Sequence, residues 1–203
     1  MCDLTIYGKI AYTYWPSNTR RGVLLIETRK YGTRVLDGKL LKVDRDTVVL
    51  DNGREALREV VRHPGGVCIA ALDGENNLWF VRQFRYAMGE DVTELPAGKL
   101  EWGEDPAEAA ARELQEETGC TADRIVKLAE GYPSPGYTTE VLHLFFATGL
   151  HAGEQHLDED ERITAFPIPL DTAVSMVMRG ELRDSKTQTL VLMVNELLKG
   201  RKA

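Results

Sequence analysis

Between residues 33 and 62 the apolar positions come in short runs: Arg34-Val35-Leu36, Leu40-Leu41-Lys42-Val43 and Thr47-Val48-Val49-Leu50. Asp37-Gly38, Asp44-Arg45-Asp46 and Asp51-Asn52-Gly53 separate them. β-favouring runs punctuated by Asp, Asn and Gly predict a meander of three short strands. So small a sheet is marginal alone, so it is expected to pack on another surface, its own or a partner's. A second sheet is predicted after His63-Pro64-Gly65-Gly66. Val67–Leu72 and Leu78–Phe84 form a hairpin across Asp73–Asn77, and Ile125–Glu130, Glu140–Ala147 and a stretch through Phe166 read as further strands. Helical periodicity appears over 170–179 and 185–199, the latter with Leu190, Met193, Val194, Leu197 and Leu198 on one stripe. The order of strands, helix, strands and helices predicts a mixed-sheet α/β sandwich. Residues 1 to about 28 give only an extended hint at Ile6, Ile10, Tyr12, Tyr14 and Trp15.

Composition narrows the functions available. The 203 residues suffice for one sizeable core and a small extra lobe. A net charge of −7 argues against a nucleic-acid groove, which needs a basic footprint. It does not exclude an anionic substrate, because a bound metal ion reverses the local field. Cys2, Cys68 and Cys120 are unpatterned, which argues against a disulfide framework or a zinc knuckle. With no signal-peptide pattern and no long apolar run, Gly22–Ile26 being far too short for a membrane span, a cytoplasmic protein with no membrane partner is expected.

The chemistry concentrates in residues 98–120, GKLEWGEDPAEAAARELQEETGC, which are predicted to open on a glycine turn at Gly98. Asp105 suits an N-cap, Pro106 the first helical position and Glu108 the third, which together read as a capping box. Alanines carry the helix to Glu117, and Gly119 is the left-handed stop. Ala107, Ala111 and Leu114 are expected to form a narrow stripe packed on the sheet. Glu113, Glu116 and Glu117 are three and four positions apart and converge on one side, where a single Arg112 cannot neutralise them all. Two readings fit such a face: a solvated acidic surface, or hard oxygen ligands for Mg²⁺ with substrate phosphates completing the shell.

Spacing separates the two. Gly98, five residues, Glu104, seven residues, then Arg112-Glu113-Leu114-Gln115-Glu116-Glu117-Thr118-Gly119 would match a random window roughly once in 10⁸ to 10⁹ tries. This pattern resembles the Nudix box, with Cys120 standing where that family has an aliphatic residue. The resemblance implies a Nudix-type α/β/α sandwich over 63–203, preceded by the small antiparallel sheet of segment 1–62. It implies metal binding by Glu113, Glu117, Glu116 and the carbonyl of Ala97, with Mg²⁺ as cofactor and Mn²⁺ as a possible substitute. Glu116 and Arg112 count as catalytic, and Arg112 with Glu104 would brace loop and helix. Glu94-Leu95-Pro96-Ala97-Gly98, His63-Pro64-Gly65, Asp184-Ser185-Lys186-Thr187 and the stretch AEGYPSPGYTTE, with Pro135 sixteen positions after Gly119, resemble the ADP-ribose pyrophosphatase branch.

That branch implies hydrolysis of ADP-ribose to AMP and ribose 5-phosphate. GDP-mannose or UDP-glucose remain alternative substrates, and a non-catalytic ADP-ribose-sensing module the alternative function. The general base is expected from an acidic loop, with Glu159 matching best and Glu161 second. Arg85 is the first candidate for a phosphate or ribose contact. Arg58 and Arg62 follow, with Glu94, Pro135 and Glu140 lining the substrate side. Tyr31, Phe84, Tyr86 and Tyr137 are available for adenine, and His63 and His143 read as structural. In this branch the N-terminal strands exchange across a homodimer, which would give the meander its missing surface.

Overall fold

The computed structural model describes residues 26–39, 41–157 and 161–200 as two sheets and three helices. In the small sheet, β1 (Thr28–Asp37), β2 (Lys42–Val49) and β3 (Glu55–Arg62) run antiparallel in that order. β2 passes straight through Asp44-Arg45-Asp46, where turn residues predict a break, and the third strand falls at Glu55–Arg62 instead of 47–50. Cross-strand charge explains the difference. Asp44 is held by Arg34 and by Arg62 Nε at 2.9 Å, while Asp46 is held by Arg29 Nε at 2.8 Å and Arg62 Nη2 at 2.7 Å. Gly32 faces Asp46 because a Cβ there would stand 1.9 Å from its Oδ1.

The large sheet contains β4 (Gly66–Leu72), β5 (Asn77–Arg85), β6 (Glu90–Glu94), β7 (Ala97–Lys99), β8 (Cys120–Gly131), β9 (Leu142–Ala152) and β10 (Ile163–Pro169). Its order is β10-β5-β4-β9-β8, with β6 on β5 and β7 on β4; only the β4–β9 ladder is parallel. Helix α1 (Pro106–Thr118) covers one face; α2 (Leu170–Met178) and α3 (Ser185–Lys199) cover the other. The two-residue period of β4 divides the core accordingly. Val67, Ile69 and Ala71 pack with Ala109, Ala110 and Leu114 of α1. Cys68 and Ala70 pack with Leu190, Val191 and Val194 of α3. The result is the α/β/α sandwich with a mixed sheet. No helix among the described residues is long and apolar enough to cross a membrane.

The buried stripe of α1 differs from expectation. Ala107 and Ala111 are exposed, and Ala110, Leu114 and Glu117 face the sheet, flanked by Ala109 and Thr118. With alanine at four positions between 107 and 111, sequence periodicity leaves the phase of the stripe open. Packing against the bulky Ile69 and Phe145 selects it. This rotation carries Glu117 inward.

The two sheets are stitched where β3 ends. Val61 N donates to Tyr137 O at 2.7 Å, Thr139 N to Val61 O at 2.9 Å, and His63 N to Thr139 Oγ1 at 2.9 Å. The 131–141 segment, with Pro135 and Glu140, thereby lies against the end of the small sheet.

Candidate active site

Helix α1 is fixed at both ends. Asp105 Oδ1 accepts from Ala107 N at 2.8 Å and Glu108 N at 3.3 Å, and Pro106 opens the helix. Gly119, at φ 73°, closes it by donating to Gln115 O at 2.8 Å. Strand β7 runs alongside, and Gly98 is a strand residue there, not the turn its composition suggests. A Cβ on Gly98 would stand 1.9 Å from Glu113 Cδ, so the glycine makes room for a carboxylate. One residue earlier, Ala97 N donates to Glu117 Oε2 at 2.9 Å. Glu113 and Glu117 therefore sit side by side over the Ala97–Gly98 backbone.

Arg112 binds three carboxylates. Its Nε lies 3.1 Å from Glu104 Oε1, and its Nη1 donates at 2.8 Å to both Glu113 Oε1 and Glu116 Oε2. Glu104 also accepts from Glu101 N at 2.8 Å, closing the loop before the helix. Partial burial opposes the charge on Arg112, but Glu104, Glu113 and Glu116 hold it protonated above its ordinary range. The acids respond differently. The Glu101 amide and then Arg112 hold Glu104 below the usual carboxylate range. Glu113 is pushed up by burial despite Arg112. Glu117, only 3% exposed, is pushed up to about 8 by burial, against the Ala97 hydrogen bond and with the charges of Glu113 and Glu161 adding to the rise.

These contacts correct the expectation that all three glutamates converge. Glu116 and Glu113 share Arg112 while Glu117 turns to Ala97, and no three acidic or imidazole groups among the described residues form a ready cation cluster. The donor set still fits a hard divalent ion, because Glu113 and Glu117 both lie against Ala97–Gly98 and are largely dehydrated. Among the described residues they have between them only one ion pair, to an Arg112 shared with Glu104 and Glu116. Their Cα positions lie one helical turn apart, so joining them on one ion is a matter of side-chain torsion.

The general-base candidates divide. Glu159 lies outside the described residues. Glu161 is described, and its charge adds to the rise of both Glu113 and Glu117.

Arg85 and Glu94 meet in a fork, Nε to Oε1 at 2.9 Å and Nη2 to Oε2 at 2.6 Å. Glu94 is 4% exposed and takes a third bond from Lys186 Nζ at 3.1 Å. Lys186 also pairs with Asp184 at 3.0 Å. Asp184 caps α3 through Thr187 N, and Thr187 Oγ1 accepts from Leu95 N at 2.9 Å. Burial opposes the Lys186 ammonium, but its neighbours keep it protonated above its ordinary value. Lys186 is a site neighbour that sequence reasoning did not single out, although Asp184-Ser185-Lys186-Thr187 was a visible signal. Beneath it, burial pushes the Cys68 thiol up to about 12, so it is inert. Cys120 is likewise packing, 3% exposed.

The other substrate candidates have partners of their own. The charged partners of Arg62 are Asp44 and Asp46, and that of Arg58 is Glu27, all in or beside the small sheet. Pro135 belongs to a turn in which Ser134 O accepts from Tyr137 N and Thr138 N. Glu140 Oε1 lies 3.9 Å from His63 Nδ1. His63 is structural, its Nδ1 accepting from Gly65 N at 3.1 Å. His143 is a strand residue as expected, but its buried Nδ1 lies 3.3 Å from Glu130 Oε1 without hydrogen-bonding alignment.

A model of the NUDIX domain matches residues 62–190. The ADP-ribose pyrophosphatase of Bacillus subtilis (strain 168) is 38% identical over 83% of this chain and 94% of its own length. The methanol dehydrogenase activator of Bacillus methanolicus is 40% identical over 82% of this chain and 92% of its own. A GDP-mannose pyrophosphatase of Yersinia enterocolitica is 36% identical over 70% and 80%. A crystal structure of an ADP compounds hydrolase superposes with a TM-score of 0.76 over 86% of this chain and 95% of that one, at 22% identity, which shows the shared fold.

Proposed function

The chain belongs to the NUDIX domain family and is a pyrophosphohydrolase of its ADP-ribose pyrophosphatase-like branch, and on that premise we propose that it hydrolyses ADP-ribose to AMP and ribose 5-phosphate with a divalent cation, Mg²⁺ or in its place Mn²⁺. The observation that carries this reading is the pair of dehydrated, charge-starved carboxylates, Glu113 and Glu117, held over Ala97–Gly98. Two adjacent phosphates repel an attacking water; a bound divalent cation offsets that charge and acidifies the water.

Glu113 and Glu117 would hold the cation, with Glu116 and the Ala97 carbonyl as the remaining donors. Arg112 keeps Glu104, Glu113 and Glu116 in place and balances part of their charge. Arg85, its Nε and Nη2 fixed by Glu94, turns Nη1 to a phosphate oxygen. Glu159, or Glu161 in its place, takes the proton from the attacking water. ADP-ribose is favoured over other nucleotide sugars by the Bacillus subtilis relative, which matches over more of this chain than the GDP-mannose pyrophosphatase does.

The test is a panel of ADP-ribose, GDP-mannose and UDP-glucose with Mg²⁺, scored by release of phosphomonoester. ADP-ribose should turn over fastest. A faster GDP-mannose reaction would reassign the substrate, and no turnover of any member would reject the proposal.

A homodimer built through residues 1–62, with 63–203 as the hydrolase unit, is the assembly we propose. Ile26, Tyr31, Val35, Leu36 and Leu57 are exposed apolar side chains on or beside the small sheet, which suits a face covered by a second copy. Light scattering at micromolar concentration should give twice the 22.7 kDa chain mass; a single chain mass would refute it.

A further inference from the structure

Asp184, Lys186, Glu94 and Arg85 form a chain of alternating charge that runs from the start of α3 to the edge of the site. At its outer end Arg85, with a side chain 40% exposed, forks onto Glu94 through Nε and Nη2. The oxygen that takes Nη2, Glu94 Oε2, also takes Lys186 Nζ at 3.1 Å, and Lys186 in turn lies 3.0 Å from Asp184 Oδ1. The Lys186 side chain is only 15% exposed. In a fork the guanidinium lies in the plane of its carboxylate, so whatever fixes the carboxylate also fixes the guanidinium.

The backbone keeps this chain in register. Leu95 N donates to Thr187 Oγ1 at 2.9 Å, so the neighbours Glu94-Leu95 meet the neighbours Lys186-Thr187. Asp184 Oδ2 accepts from Thr187 N at 2.9 Å and holds the first turn of α3 in place. Past Leu95, Pro96 O accepts from Ile69 N at 2.9 Å and Ala97 N reaches Glu117 Oε2. The stretch 94–97 therefore anchors Arg85 at one end and a candidate cation ligand at the other.

We propose that Lys186 is a positioning residue: it fixes the Glu94 carboxylate and, through the fork, the direction in which Arg85 Nη1 meets a phosphate. This rests on the reading of Arg85 as a phosphate contact. Lys186 does not touch the substrate, because its ammonium is turned inward to Glu94 and Asp184. Without that ammonium the fork pivots about the Glu94 torsions, and the cost of ordering it falls on substrate binding.

The experiment is steady-state hydrolysis of ADP-ribose with Mg²⁺ by Lys186→Met, Arg85→Met and the Lys186→Met/Arg85→Met pair, each checked for a cooperative melting profile. Removing one member of a buried charge chain is destabilising, so Lys186→Met/Asp184→Asn is measured beside them. That variant loses one charge of each sign and keeps a good N-cap. Lys186→Met and its charge-balanced form should each raise KM about ten-fold and leave kcat within about two-fold. In the Arg85→Met background, Lys186→Met should raise KM no further. Wild-type KM in both Lys186 variants, a loss confined to kcat, or a rise that multiplies with that of Arg85→Met overturns the proposal. Wild-type KM in Arg85→Met overturns the reading of Arg85 itself, and with it this role for Lys186.

Discussion

Asp44 in the small sheet and Glu117 on α1 are both carboxylates partly or wholly withdrawn from water, and the chain treats them in opposite ways. Asp44 stands between two guanidiniums, and hydrogen bonds from Arg34 and Arg62 hold it below the usual carboxylate range. Its neighbour Asp46 is bracketed likewise, by Arg29 and Arg62. Glu117 has one backbone amide, Ala97, and further carboxylates for company, and burial carries it far above its ordinary range. Arginine is abundant near both groups, so supply does not explain the contrast. Arg112 is spent on Glu104, Glu113 and Glu116, and Arg85 is forked onto Glu94. The pairs in the small sheet are complete and hold strands together. The cluster on α1 is incomplete in charge, which is the condition of a cation site before its ion arrives.

The largest effect that would break this contrast is expected from Glu117→Gln. Turnover should fall by at least about 100-fold while the fold survives, because a cation ligand is lost and the packed volume is not. An unchanged rate at saturating Mg²⁺ would remove Glu117 from the site. Gly98→Ala comes next. Its methyl would occupy the place of the Glu113 carboxylate, so kcat should fall about ten- to 100-fold, with a loss of stability of about 1–3 kcal/mol from crowding. Wild-type kinetics would show that Glu113 works from another position.

pH sharpens the comparison through its sign. Glu117 has an ordinary pKa of 4.5 and a folded value of about 8, so without divalent ions the folded chain binds the extra proton. Stability should therefore fall as pH rises from about 4.5 towards about 8. Asp44 is depressed below 3.8, so its contribution is present above that value and is lost as pH falls through the depressed one. Melting temperatures across pH 3 to 9 without divalent ions should show both limbs; Glu117→Gln should flatten only the upper, and Asp44→Asn only the lower. The smallest effect on catalysis is expected from Arg62→Met. It should destabilise the small sheet by about 1–3 kcal/mol and leave the Mg²⁺ dependence of the rate unchanged.

Much of α1 was legible because its signals are local: Asp105, Pro106 and Gly119 specify the ends from their own chemistry, and the box spacing places the glutamates. The phase of its buried face was not, since four alanines between 107 and 111 give several equivalent stripes until the sheet chooses one. β2 was misread because Asp44 and Asp46 resemble turn residues until Arg29, Arg34 and Arg62, distant in sequence, claim them. Gly98 read as a turn for a similar reason: its lack of a side chain serves Glu113, fifteen positions away, and not its own backbone. Lys186 stood in a visible stretch, Asp184–Thr187, but its role as a site neighbour was not legible, because its partner Glu94 is brought to it only by the fold.

The central claim is that the glutamates of α1 take a divalent ion and the arginine-paired aspartates do not. Electron paramagnetic resonance of Mn²⁺, titrated in the presence of a methylene-bridged ADP-ribose analogue, measures this directly. Wild type and Asp44→Asn should bind Mn²⁺ alike, and Glu117→Gln should leave it free. Binding by Glu117→Gln as tight as that of wild type would contradict the account.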